Sequence, residues 1–150
     1  MVSTELGGGS QMKSDSSAFD VFIDSDVFVA LWLIEDPLRE RALSLMQHIG
    51  QQKLMVVTSN LVTSETATVL SHKHGMDAAT AFLRSVRELQ TVFLSQELHR
   101  QAQQLFEQQT KRGTSFVDCA NVITIRHYEI DAIASFDKAY PLQYGVPLLQ

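Results

Sequence analysis

The chain has 150 residues, a formal charge of −5, 45% apolar and 19% charged residues, and one cysteine, Cys119. That length suffices for one domain with its own core, while the composition excludes an internal disulfide and a cysteine-rich zinc site. No apolar run is long enough to cross a bilayer and no signal-peptide layout opens the chain, so a soluble, cytoplasmic protein without membrane contact is expected.

Residues 1–18, MVSTELGGGSQMKSDSSA, are rich in Gly and Ser and lack apolar periodicity, which predicts a flexible tail ahead of one domain over 19–150. Phe19 to Ile23 reads as a short buried strand ending in Asp24-Ser25-Asp26. Val27 to Ile34 reads as a helix, and Pro37 opens another, with Leu38, Ala42, Leu45, Met46 and Ile49 at helical spacing up to Gly50. Leu54 to Val57 is apolar throughout, as in a strand covered on both faces. A helix over Asn60 to His74 stops at Gly75, and Asp77 is expected to cap the next one, through about Leu89.

Thr91 to Leu94 reads as a third strand. Ser95 to Arg112 has the pattern of an amphipathic helix, with Leu98, Ala102, Leu105 and Phe106 on one stripe and Gly113 beyond it. Ser115 is placed to cap a helix from Phe116 to about His127, before a strand over Ala132 to Ala134 and a short last strand around Val146 to Leu148. Strands alternating with helices, without two-residue hairpin signals, predict an α/β fold: a three-layer α/β/α domain around a parallel sheet of four to five strands.

In such sheets ligands bind beyond the carboxyl ends of the strands. Asp24 follows the first strand, Asp137 follows the strand at Ala132 to Ala134, and Glu65 and Asp118 lie in early turns of two helices. Asp118 has a structural explanation too, since Ser115 and Asp118 are spaced as a capping box. Glu65 shares the helix face of Leu61, Val62 and Val69, and Asp24 sits where a half-buried carboxylate needs partners or a cation. Four carboxylates in one cleft repel one another and raise their own pKa values unless a cation offsets the charge. Hard oxygen donors without Cys or His suit Mg²⁺ or Mn²⁺, ions that serve phosphodiester hydrolysis.

The net charge argues against a nucleic-acid partner, but Asp24, Asp26, Glu65, Asp118 and Asp137 together carry five negative charges, matching the whole excess. Lys111, Arg112, Lys138, Arg39 and Arg41 are then candidates for phosphate contacts, although each alone is equally well a solvated charge. His72 and His74, two apart on one helix, cannot chelate together. Trp32 is read as core or dimer contact in preference to a base-stacking residue.

The succession "FIDSD", "TSE", "TSFVDCANV", "SFDKAY" resembles the PIN domain, the fold of the VapC-type toxin ribonucleases, over roughly Phe19 to Leu149. The resemblance implies that Asp24, Glu65, Asp118 and Asp137 are the four acids that bind one or two Mg²⁺ or Mn²⁺ ions and cut RNA, leaving a 3′-hydroxyl and a 5′-phosphate. It also implies that Thr114 or Ser115 supports the site, and it implies a toxin held by a small antitoxin and a homodimer. Asp26 departs from the family's usual Ser, Thr or Asn and is a candidate fifth ligand. Cys119 stands where Ala is common and is expected to pack in the core.

Two alternatives are carried. Asp24-Ser25-Asp26-Val27 matches the start of haloacid-dehalogenase-like phosphatases, with Asp24 as nucleophile, but the chain has neither the Gly-Asp nor the Asp-Asp pair expected later. The other is a PIN-like module that binds RNA or protein without cutting.

Overall fold

The computed structural model describes residues 17–150, so the tail expected over residues 1–18 lies, except for its last two residues, outside the described residues. Ser17 is tethered: its hydroxyl contacts the carbonyl oxygens of Glu129 at 3.0 Å and Phe19 at 3.2 Å.

The elements in chain order are β1 (Val21–Ile23), α1 (Ser25–Trp32), α2 (Arg39–Gln51), β2 (Val56–Ser59), α3 (Asn60–His74), α4 (Met76–Val86), β3 (Thr91–Val92), α5 (Gln96–Glu107), α6 (Phe116–His127), β4 (Ala132–Ala134) and α7 (Ala139–Tyr144). The strands form one parallel sheet in the order β3-β2-β1-β4, with Val21 beside Val56 and Ala132. Parallel neighbours cannot be joined by hairpins, so helices make the crossings and cover the sheet, giving the expected three-layer α/β/α arrangement. Val21, Phe22 and Ile23 are all buried, as the central strand of such a sheet requires. Each large side chain so covered contributes about 1.5–3 kcal/mol of burial.

The local end signals are used as physical chemistry dictates. Ser59, Ser95 and Ser115 cap α3, α5 and α6, their hydroxyls accepting the amides of Val62, Leu98 and Asp118. The first and third strands are shorter than the sequence reading and the first helix starts and ends two residues earlier, and four further differences have a local cause. The second strand lies two residues later, because Met55 is exposed whereas Thr58 and Ser59 are buried, the Thr58 hydroxyl donating to the Ile23 carbonyl at 3.0 Å. Asp77 does not cap α4; Gly75, at φ +88°, is the N-cap and Asp77 lies in the first turn. The helix α5 ends at Glu107, well before Gly113, which turns in the loop at φ +83°. The expected last strand is a single parallel bridge between Ile133 and Leu148.

The helix α7 was not foreseen. Gly145, in the left-handed region at φ +65°, closes it by donating to the Tyr140 carbonyl, a conformation that favours glycine. From β1 the chain runs to β2 and β3 on one side and then returns to β4 on the other, so the strand order reverses between β1 and β4. A crevice opens at that switch, and both strands end in acidic segments.

Candidate active site

Asp24 occupies the end of the β1–β4 ladder, its amide donating to the Ala134 carbonyl at 3.1 Å, and it caps α1. Its side chain is buried and fully engaged. Oδ1 accepts the Ser25 amide (2.8 Å) and Asn121 Nδ2 (3.2 Å), while Oδ2 lies 3.0 Å from both the Ser135 hydroxyl and the Tyr140 hydroxyl.

Tyr140 links this buried acid to the open one. Its hydroxyl also lies 3.1 Å from Asp118 Oδ1 and accepts Asn121 Nδ2 at 3.0 Å. A phenol has one proton, so it donates to one carboxylate at a time, and both contacts are hydrogen bonds together only when one acid is protonated. Burial and the charges of Asp24 and Asp118 hold the phenol far above its usual pKa, which keeps it a neutral donor.

The other carboxylates lie around this pair. Asp26, in the first turn of α1, reaches across to the loop after β4, where its Oδ2 accepts the Phe136 amide at 2.8 Å and contacts the Ser135 hydroxyl at 3.0 Å. Its Oδ1 is buried with no hydrogen-bond partner. Asp137 is exposed at the rim, its Oδ1 accepting the Ala139 amide at 2.8 Å as α7 begins. Glu65, half-buried on α3, is close enough for its charge to act on Asp118.

The electrostatics follow from this crowding. Burial first, then the charge of Asp26 and more weakly that of Asp118, push the Asp24 carboxyl up to about 7. Burial pushes Asp118 up to about 6, with Asp137, Glu65 and Asp26 adding to the rise against the Tyr140 hydrogen bond. Burial also raises Asp26. The Ser115 half of the capping box forms, its hydroxyl accepting the Asp118 amide at 3.3 Å, while the Asp118 carboxylate contacts Tyr140.

These residues suit a divalent cation in donor chemistry and in charge, being all-oxygen, mutually repelling and left with an orphaned buried oxygen on Asp26. The arrangement is not a closed cage: among the described residues, no three or more His, Cys, Asp or Glu side chains are grouped so that they could hold an ion as they stand.

Asp118 and Asp137 face a hollow of about 100 Å³ whose other walls include Lys111, Arg112, Thr114 and Ser115. Thr114 Oγ1 donates to the Lys111 carbonyl at 2.7 Å, which holds that loop together. Lys138 and Arg41 line a second, larger cavity beside Ser135. Arg39 is turned elsewhere, its guanidinium donating to the Leu31 carbonyl at the α1–α2 junction. Cys119 is buried, its sulfur 3.8 Å from the Tyr144 hydroxyl, and Trp32 packs edge-on against Phe82.

The profile of the PIN domain matches residues 21–143. The chain belongs to the PIN domain family. This PIN domain is similar in structure to VapC20 of Mycobacterium tuberculosis, a sarcin-ricin loop cleaving toxin, with a TM-score of 0.75 and 25% identity over 87% of this chain and 98% of that one. No curated protein matches the chain. VapC-like PIN domains are nucleases, and PIN nucleases generally use divalent metal ions. The family assignment displaces the phosphatase reading of Asp24-Ser25-Asp26-Val27.

Three side chains that contact Asp24 escaped the sequence reading: Asn121, Ser135 and Tyr140. A signal existed for each. Asn121 stands one helical turn after Asp118 in an otherwise apolar stretch of α6, Tyr140 is three residues after Asp137, and Ser135 is two before it.

Proposed function

We propose that the chain is a Mg²⁺- or Mn²⁺-dependent endoribonuclease, the toxin of a toxin–antitoxin pair. The observation that supports this most is the Tyr140 hydroxyl set between Asp24 and Asp118, with Glu65, Asp26 and Asp137 adding charge to the same crevice. A buried, hydrogen-bonded carboxylate beside open, mutually repelling ones is costly for a metal-free protein and useful to one that recruits cations.

Asp24, Glu65, Asp118 and Asp137 would hold the ion or ions, with Asp26 as a fifth candidate. When bound, such an ion makes water nucleophilic at neutral pH and offsets charge on the phosphate oxygens. The protein's own part is positional. Asn121 donates to Asp24, the single hydroxyl protons of Ser135 and Tyr140 are shared between Asp24 and, respectively, Asp26 and Asp118, the Ser115 cap holds the first turn of α6, and Lys111 and Arg112 stand by for phosphate oxygens across the small hollow.

A small antitoxin as inhibitor, a homodimer and a cytoplasmic location belong to the same proposal. Among the described residues no helix is long and apolar enough to cross a membrane. Because the similar solved toxin cleaves the sarcin-ricin loop, RNA bearing that loop is the first substrate to offer. Cleavage with Mn²⁺ or Mg²⁺, its loss in chelator, and its loss in Asp24→Asn and Asp118→Asn are the expected results. Undiminished cleavage in both variants defeats the assignment of the site, and an intact RNA with every ion favours the non-cleaving module.

A further inference from the structure

Beside the acids lies a cavity of about 570 Å³, within the size range of small-ligand pockets. Arg41, Leu45 and His48 face it from α2 at i, i+4 and i+7, one stripe of the helix. An amphipathic helix turning that stripe to a core would make it apolar. Opposite stand Phe136 and Lys138, which flank Asp137 in the loop after β4.

The walls are held by backbone hydrogen bonds. Ile133 of β4 donates to Pro147 at 2.9 Å and accepts from Leu149 at 2.8 Å, which fixes the closing C-terminal segment, and Asp26 anchors Phe136 through its amide. The Arg41 guanidinium lies over the Phe136 ring, 5.0 Å from its centroid, which steadies a long cationic side chain where it is otherwise exposed.

The charge of this cavity is the unexpected feature. In a chain with a formal charge of −5, the cationic side chains of Arg41 and Lys138 line one hollow with His48 and the last residue, Gln150, and no Asp or Glu side chain does. Among the described residues none of Arg41, His48 and Lys138 has a carboxylate partner. Two such cations, Arg41 and Lys138, beside an acidic crevice match a ligand that is itself anionic and passes from one to the other.

We infer that this cavity is a nucleotide subsite for single-stranded RNA. It takes the nucleotide next to the one at the acids, with its phosphate on Arg41 and Lys138 and its base among the His48, Leu148 and Leu149 side chains. The inference rests on the ribonuclease reading for the identity of the ligand, but it concerns binding and is tested apart from cleavage.

The test is fluorescence anisotropy of the full chain in chelator with a labelled single-stranded oligoribonucleotide, across a salt series. Variants are Arg41→Ala, Lys138→Ala, the double variant, and Lys73→Ala at the exposed end of α3 as control. The double variant should bind at least about tenfold more weakly, with its log-affinity against log-salt slope reduced by about 1.4, and Lys73→Ala should bind as the parent does. Circular dichroism melts check that the variants are folded.

Parental affinity and slope in the folded double variant overturn the inference. So does an absence of measurable RNA binding by the parent, or tighter binding of an acidic peptide than of the oligonucleotide. Weakened binding in a protein that cuts no RNA sustains the subsite while the nuclease reading fails. Cleavage by the double variant with unchanged KM has the reverse meaning.

Discussion

The buried half of the acidic crevice and its open rim obey different physics. Asp24 is almost wholly buried, and each of its oxygens has two hydrogen-bonding neighbours, drawn from α1, α6, α7 and the loop after β4. Asp137 is exposed and has its Oδ1 engaged by the Ala139 amide. The first is built by the fold before any ligand arrives and is costly to ionise. The second is solvated, costs the fold little, and is free to adjust to what binds.

The largest test of this contrast is Asp24→Asn. The amide can keep all four contacts, its oxygen accepting from Ser25 and Asn121 and its nitrogen donating to the Ser135 and Tyr140 hydroxyls, but it carries no charge. Cleavage should fall to background, while the melting temperature of the chelated protein at neutral pH should equal or exceed that of the parent. A large loss of stability would show that the buried half is not strained by its charge.

The second test is pH. Asp24 and Asp118 have folded pKa values of about 7 and about 6, raised above the ordinary 3.8. Their contribution to stability is therefore fully present below about 4 and is lost as pH rises through about 6 and 7. Thermal melts in chelator should show a falling melting temperature over that window, reduced by Mn²⁺ and flattened in Asp24→Asn; a flat parental profile contradicts the coupling.

A smaller effect is expected from Tyr140→Phe, which keeps the buried ring and removes the hydroxyl between the two halves. Metal affinity and turnover should fall about 10–100-fold, the usual cost of losing a group that orients a ligand, as read by calorimetry and by initial rates. Unchanged metal uptake would mean that the two halves act independently. The smallest effect on the fold is expected at the rim, where Asp137→Asn should shift unfolding by no more than about 0.5 kcal/mol while still weakening Mn²⁺ binding. A denaturant titration that shows a larger loss would move Asp137 from the adaptable half to the built one.

Much of the architecture was legible because the signals are local. The helix α3 over Asn60–His74 and the strand β4 over Ala132–Ala134 coincide with their periodicity and end signals, and Ser115 caps α6 as its position foretold. The misplaced boundaries share a cause. The second strand was read from its apolar residues, but tertiary burial extends it through Thr58 and Ser59, whose hydroxyls bond to backbone. The extra strand at Val146 to Leu148 was read from apolar character alone, and only one bridge forms there.

The candidate site divides in the same way. Order along the chain was enough to single out Asp24, Glu65, Asp118 and Asp137 as candidates, because acids at strand ends and in early helical turns stand out within a few residues of sequence. Asn121 and Tyr140 meet Asp24 from 97 and 116 residues away, so their spacing from Asp118 and Asp137 marks them only once the acids are known, and nothing local ties them to Asp24. Which side chains share a proton, which oxygen is left without a donor and how far each carboxyl is pushed up depend on the β3-β2-β1-β4 order and on burial. Periodicity and capping act over one helical turn, whereas desolvation and charge coupling act through space, so the sequence determined the elements and the acids, and only the folded chain decided their partners.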